Sequence, residues 1–144
     1  MNVRLTKPLG FVELDSVWLD DRATCGWALS DVSLVIEPGQ TIAVLGDAAG
    51  DAVIDLVAGN RMAVRGSVGI DGVDVRDLDR VAHRRALAAD VNVASGERRL
   101  VVAGRTVLVA RPAPATLERA DLVLVCENGF EVARGRHAAP VTAA

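Results

Sequence analysis

"VLGDAAGDAVIDLVAG", Val44 to Gly59, decides how this chain is read. An apolar strand enters, glycines and small residues turn, and a run rich in Ala, Val, Ile and Leu leaves as a helix. That is the outline of the strand, G-x-x-x-x-G-K-[ST], helix motif, whose backbone N–H groups cradle phosphate. The chemistry of the motif is missing. Lys7, near the amino terminus, is the only lysine of the chain, so no cation stands where the motif needs one.

The rest of the composition narrows the field. A chain of 144 residues, 51% apolar, fits one domain with a real core. Its net charge of −3 gives no reason to expect nucleic acid. The pairs Arg84-Arg85 and Arg98-Arg99 read as solvated faces. No apolar run approaches the ~20 residues of a membrane span, and "MNVRLTKPLGFVELD" lacks a secretory apolar core. The expectation is a cytoplasmic protein. Cys25 and Cys126 are far apart with no metal spacing, which suits a reducing compartment. His83 and His137 are equally isolated, so no metal site is expected.

Outward from the loop, "VELDSVWL" (Val12 to Leu19) alternates as an amphipathic strand. Val32 to Ile36 and Thr41 to Leu45 are two more strands, joined by the turn Glu37-Pro38-Gly39-Gln40. The second is continuously apolar, as a strand buried on both faces must be. A helix over Asp51 to Ala58 is closed by Gly59-Asn60 in a left-handed cap. "GSVGIDGVDVRDLD" is a hairpin turning at Asp71-Gly72. Leu78 to Leu87 suits a helix, and Ala88 to Ser95 has no clear pattern. "RTVLVA" (Arg105 to Ala110) is a buried strand, "PAPATLERA" gives one helical turn, and "DLVLVCENGFEVARG" is a hairpin turning at Asn128-Gly129. The reading is a mixed α/β domain over residues 11–137, richer in strand than helix, with an N-terminal extension 1–10 and a flexible tail 138–144.

These blocks, in this order, resemble the nucleotide-binding (ATP-binding) domain of ABC transporters, particularly the exporter type. "LSDVSLVIEPGQTIAVLG" is similar to the stretch leading into that family's phosphate loop. "GSVGIDGVDVRDLD" looks like its hairpin, and "GRTVLVA" with "ADLVLVCENGFEVARGRH" resembles its closing strands. The resemblance implies an α/β fold, the P-loop NTPase-like mixed sheet core of an ABC nucleotide-binding domain.

The departures fall on the chemistry. In the family the loop lysine binds the β- and γ-phosphates and the next hydroxyl binds Mg²⁺. Counting from Gly46 puts Asp51 at the second glycine, Ala52 at the lysine and Val53 at the hydroxyl. Shifting by one, so that Gly50 is the second glycine, puts Asp51 at the lysine. The nucleotide-binding positions are therefore a relic loop: Gly46, Asp47, Ala48, Ala49, Gly50, Asp51, Ala52 and Val53. Asp47 and Asp51 would repel phosphate; two unit charges ~5 Å apart at an effective dielectric of ~20 repel by roughly 3 kcal/mol. At a helix start the same carboxylates satisfy free N–H groups and oppose the dipole, so a cap is the expected role.

The family's glutamine-loop position falls near Asn92. "ASGERRL" is similar to its signature loop, one glycine short. Ala110 or Arg111 stands at the switch histidine, and Asp21 at the aromatic that stacks on adenine, with Trp18 and Trp27 as substitutes. The acidic strand end is missing. Between about Ser95 and Gly104 the helical subdomain and the central catalytic strand are lacking, so the domain is truncated and degenerate. "RTVLVA" is then expected beside the loop strand, and the sheet is expected to keep an exposed apolar face.

No catalytic residue and no cofactor are expected, with ATP–Mg²⁺ bound at most weakly. The implied function is a catalytically inactive remnant or accessory subunit of a transporter. The alternative is a shrunken structural or protein-interaction domain with no transport role. The implied partner is a transporter's membrane or ATPase subunit, holding the chain at the inner face of the plasma membrane, or a second copy of the chain.

Overall fold

A computed structural model of the chain describes residues 9–24, 26–46, 48–78, 87–92 and 96–135. Lys7, Cys25, Asp47, His83, the pair Arg84-Arg85, His137, most of the extension 1–10 and the tail 138–144 lie outside the described residues. So does most of the expected helix from Leu78 to Leu87.

Ten strands and two α-helices form among the described residues. The first four elements are β1 (Val12–Asp20), β2 (Trp27–Ile36), β3 (Thr41–Leu45) and α1 (Ala49–Ala58). A hairpin follows, β4 (Arg65–Ile70) and β5 (Val73–Asp74), turning at Asp71-Gly72 with φ of 53° and 82°. Both turn residues are left-handed, as a two-residue Asp-Gly hairpin requires. Beyond lie β6 (Leu87–Asn92), β7 (Arg98–Val102), β8 (Thr106–Ala110), α2 (Pro114–Arg119), β9 (Leu122–Glu127) and β10 (Phe130–Gly135). The segment without a clear pattern, Ala88 to Ser95, is strand as far as Asn92.

The strands make two sheets. One is antiparallel, in the order β2-β1-β4-β5; the other is mixed, in the order β10-β9-β3-β8-β7-β6. The loop strand β3 is central to the mixed sheet, with β8 and β9 parallel on its two sides. "RTVLVA" thus lies beside the loop strand, Thr41 opposite Val107 and Val44 opposite Ala110. The lane beyond β8 is filled by β7, which runs antiparallel to it, Arg98 opposite Ala110 and Val102 opposite Thr106. A parallel strand there would need a long crossover, whereas a three-residue loop between Val102 and Thr106 makes a hairpin.

Helix α1 fills the space between the sheets, touching β3, β7 and β8 of one and β2 and β4 of the other. Seven of its residues are buried, Val53, Ile54 and Val57 completely. A helix apolar nearly all round belongs in such a middle layer. Each fully buried Val, Ile or Leu contributes about 1.5–3 kcal/mol. The helix starts at Ala49, two residues before the expected Asp51, because its first turn packs directly on β8. A Cβ on Gly50 would lie 2.7 Å from Ala110 Cβ and 2.9 Å from its Cα, so the position admits no side chain. The far end closes as expected, with Gly59 left-handed at φ 82°.

The other face of the mixed sheet is less bare than expected. The short helix α2 packs there over Ala43, Val109 and Val123, all at most 2% exposed, leaving Leu45, Val107 and Val125 partly covered. The exposed large apolar side chains, among them Val35, Met62, Val64 and Phe130, are spread over several elements.

Candidate functional site

The relic loop is shorter than the phosphate-loop motif. Strand β3 ends at Leu45 and α1 begins at Ala49, so only three positions separate them. Gly46 has φ 141°, and a Cβ there would lie 2.7 Å from the Cys126 carbonyl oxygen. Only glycine fits. Ala52 and Val53, the expected lysine and hydroxyl positions in one of the two registers, lie inside the helix and are 3% and 0% exposed.

A cavity of about 240 Å³ does open beside this turn, lined by Ala48, Ala49, Asp21, Trp27, Cys126 and Asn128 among others. Its wall includes Asp21, the expected adenine-stacking position, and Trp27, one of its expected substitutes. Trp18 meets Trp27 edge to face, ring centroids 5.1 Å apart and planes at 77°. Asp21 accepts the Ala23 amide at 2.9 Å, so its carboxylate shapes its own turn. No Lys or Arg lines the cavity among the described residues. Burial pushes the Cys126 thiol up to about 11, with Glu131 adding to the rise and Arg134 opposing it. A neutral buried thiol is a packing group, not a nucleophile.

Asp51 is not a cap. The residue preceding the helix is Ala48, and among the described residues no side chain accepts from the first-turn amides. The Asp51 carboxylate instead takes two arginines: Arg98 Nη1 donates to Oδ1 at 3.1 Å, and Arg111 Nη1 to Oδ2. Arg98 also donates to Asp55 at 2.8 Å, one helical turn on. Asp51 and Asp55 form a single acidic stripe on an apolar helix, and like charges at that spacing repel. A shared guanidinium converts the repulsion into a clamp between α1 and β7.

Of the pair Arg98-Arg99, Arg98 is therefore not solvated, whereas the Arg99 side chain stays 47% exposed. Adjacent residues of a strand point to opposite sides of the sheet. Arg98, with its side chain 13% exposed, points toward α1 with Leu100 and Val102, while Arg99 turns to the α2 side. Strand periodicity applied to "ERRLVV" carried this signal.

Glu97, in the signature-like stretch, is 1% exposed. Burial raises its pKa, but hydrogen bonds from Thr116, the Ala113 amide and Arg99 outweigh burial and hold it below the ordinary carboxylate value. It fixes the start of α2 through the Ala113 amide, at 2.9 Å. Asn92, the expected glutamine-loop position, lies opposite Arg98 in the β6–β7 ladder. Arg111, at the switch position, has φ 52° and gives its Nε to the Gly96 carbonyl at 2.8 Å. The backbone thus brings Asn92, Arg98 and Ala110 into adjacent rungs of the mixed sheet, with Gly96 held by Arg111.

No family model matches the chain. Over 60 residues, 40% of its length, it is 42% identical to the mycobactin import ATP-binding/permease protein IrtB of Mycolicibacterium smegmatis (strain ATCC 700084 / mc(2)155). The match spans 10% of that relative. The solved structure of a bacterial Atm1-family ABC exporter with ATP bound is similar over 95% of this chain, with a TM-score of 0.68 and 15% identity. There the chain spans 41% of the exporter. The sequence match carries a relation to ABC transporters, and the structural likeness shows a fold shared with part of an ABC exporter.

Proposed function

We propose that residues 11–137 are an ATP-binding-domain-like module of an ABC transporter that does not hydrolyse nucleotide and acts as an accessory or docking element. The observation that carries this reading is the fate of the loop. In one register its lysine and hydroxyl positions, Ala52 and Val53, are buried in the core, and in the other the lysine position, Asp51, is held by Arg98 and Arg111. Phosphoryl transfer depends on positioning and on neutralising developing charge, so losing the lysine and the metal hydroxyl together removes the means of catalysis.

The lane beside β8 supports the same reading. There the resemblance calls for a parallel strand ending in acids, with a metal carboxylate and a base for water. The reversed β7 brings Arg98 to that end, and Glu97 is turned toward the Ala113 amide. The cavity beside Trp27 still offers room for a flat ring, which accommodates weak nucleotide binding without turnover.

Among the described residues no helix is long and apolar enough to cross a membrane. In this reading the module reaches the inner face of the plasma membrane through a transporter's membrane or ATPase subunit. The test is Mg²⁺-dependent phosphate release from purified protein. The expected result is no release above buffer, and turnover that disappears in Asp51→Ala would sink the proposal.

A further inference from the structure

The face of the mixed sheet away from α1 carries a second cavity, of about 210 Å³. Strand register builds it. Thr41 of β3 lies opposite Val107 of β8, and the next row sets Ala43, Val109 and Arg99 side by side. Helix α2 packs over that second row and supplies Ala115, Thr116 and Arg119 to the cavity wall, while Val107 and Val109 form its floor. Arg99 and Arg119 are the charged side chains of the wall among the described residues. Arg99 is fixed from behind: its Nε donates to the buried Glu97 carboxylate, and its Nη2 to Thr116 Oγ1 at 3.4 Å. Its charge is met by Glu97. Arg119 has no ion pair or side-chain hydrogen bond among the described residues. Asp121, two residues on, turns its carboxylate to the Thr41 amide at 2.8 Å, and Glu118 is not part of the wall. The cavity therefore joins an apolar floor to one arginine held in place and one arginine whose charge is unmet.

We infer that this cavity is a binding site for a small organic monocarboxylate with a compact apolar body. The body, aromatic or branched aliphatic, lies on Val107 and Val109, and the carboxylate is taken by Arg119 with Arg99. One negative charge matches the one positive charge left over. Size agrees, since an apolar cavity of about 150 Å³ holds a benzene ring. A volume of about 210 Å³ accommodates such a ring with a carboxylate at the mouth. Phosphate would leave the two valines uncovered. The site is separate from the relic loop, because the sheet stands between this face and α1.

This inference goes beyond the transporter reading, and its test needs no nucleotide. Benzoate is the probe, benzyl alcohol its neutral counterpart of similar shape, and inorganic phosphate the charge without the apolar body. Each is titrated at constant ionic strength into isotope-labelled protein and followed by amide NMR. Benzoate is expected to shift the Thr41, Val107 and Thr116 amides saturably, and to bind at least about ten-fold more tightly than either control. Arg119→Gln is expected to weaken benzoate at least about ten-fold. Arg119 is exposed, so the substitution spares the fold, and the comparison of the three probes stands on wild type alone. Absence of a saturable shift at these residues by about 20 mM benzoate would overturn the inference. So would equal binding of benzyl alcohol or phosphate, or a benzoate affinity unmoved by Arg119→Gln.

Discussion

Asp51, Arg98 and Cys126 show how one side chain takes its meaning from its neighbours. Asp51 in the first turn has the composition of a cap, yet its oxygens go to Arg98 and Arg111, from β7 and the end of β8. Arg98 and Arg99 are adjacent in sequence and separated by the sheet. Cys126 is a cavity-lining thiol whose pKa burial raises from 9.0 to about 11. The folded thiol thus stays protonated over a pH range in which the unfolded thiol ionises. Its contribution to stability is complete below about pH 9 and is lost as pH rises toward about 11. In a Cys25→Ser background, Cys126 is expected to react with a thiol reagent at pH 8 at least ten-fold more slowly in the folded than in the urea-unfolded chain. Equal rates would refute the buried, neutral thiol.

At the scale of elements, α1 and β7 carry the fold. Helix α1 is short and almost wholly apolar, so on its own it would not hold as a helix. It is stabilised by lying between two sheets, with the acidic stripe of Asp51 and Asp55 turned to arginine. Strand β7 completes the mixed sheet beside β8, placing Leu100 and Val102 in the same core as α1. If β7 is an integral strand, Leu100→Ala should cost about 2–5 kcal/mol of stability, measured by urea unfolding, because Leu100 is 1% exposed. A loss under about 0.5 kcal/mol would mean that the lane beside β8 is not part of the cooperative core.

For the whole molecule, two sheets with a helix between them reproduce a fold shared with part of an ABC exporter, at a length that spans 41% of that chain. In the transporter reading, paired family members use nucleotide as the bridge between a phosphate loop and a partner's signature loop. Here the loop side is closed by Asp51, and the signature-like stretch is tied down by Glu97 to α2 and by Gly96 to Arg111. ATP–Mg²⁺ is therefore expected to leave the molecular mass unchanged at every protein concentration, any self-association being independent of nucleotide. Light scattering across a concentration series checks this, and dimerisation driven by ATP–Mg²⁺ would refute it.

Sequence by itself determined what local physics controls. Positive φ at Asp71-Gly72 and Asn128-Gly129 follows from turn chemistry within a few residues. The continuous apolar run of β3 required burial on both faces, and Gly59 ended α1 where a left-handed cap was written. The missing lysine was legible from composition alone. Tertiary structure alone decided the partners of Asp51. Those depend on pairings across 47 and 60 residues, for which no local pattern of charge or hydropathy encodes a choice. An arginine in a strand reads as solvated until the face opposite it is known, and that face, α1, is brought there only by the packing of both sheets on one helix.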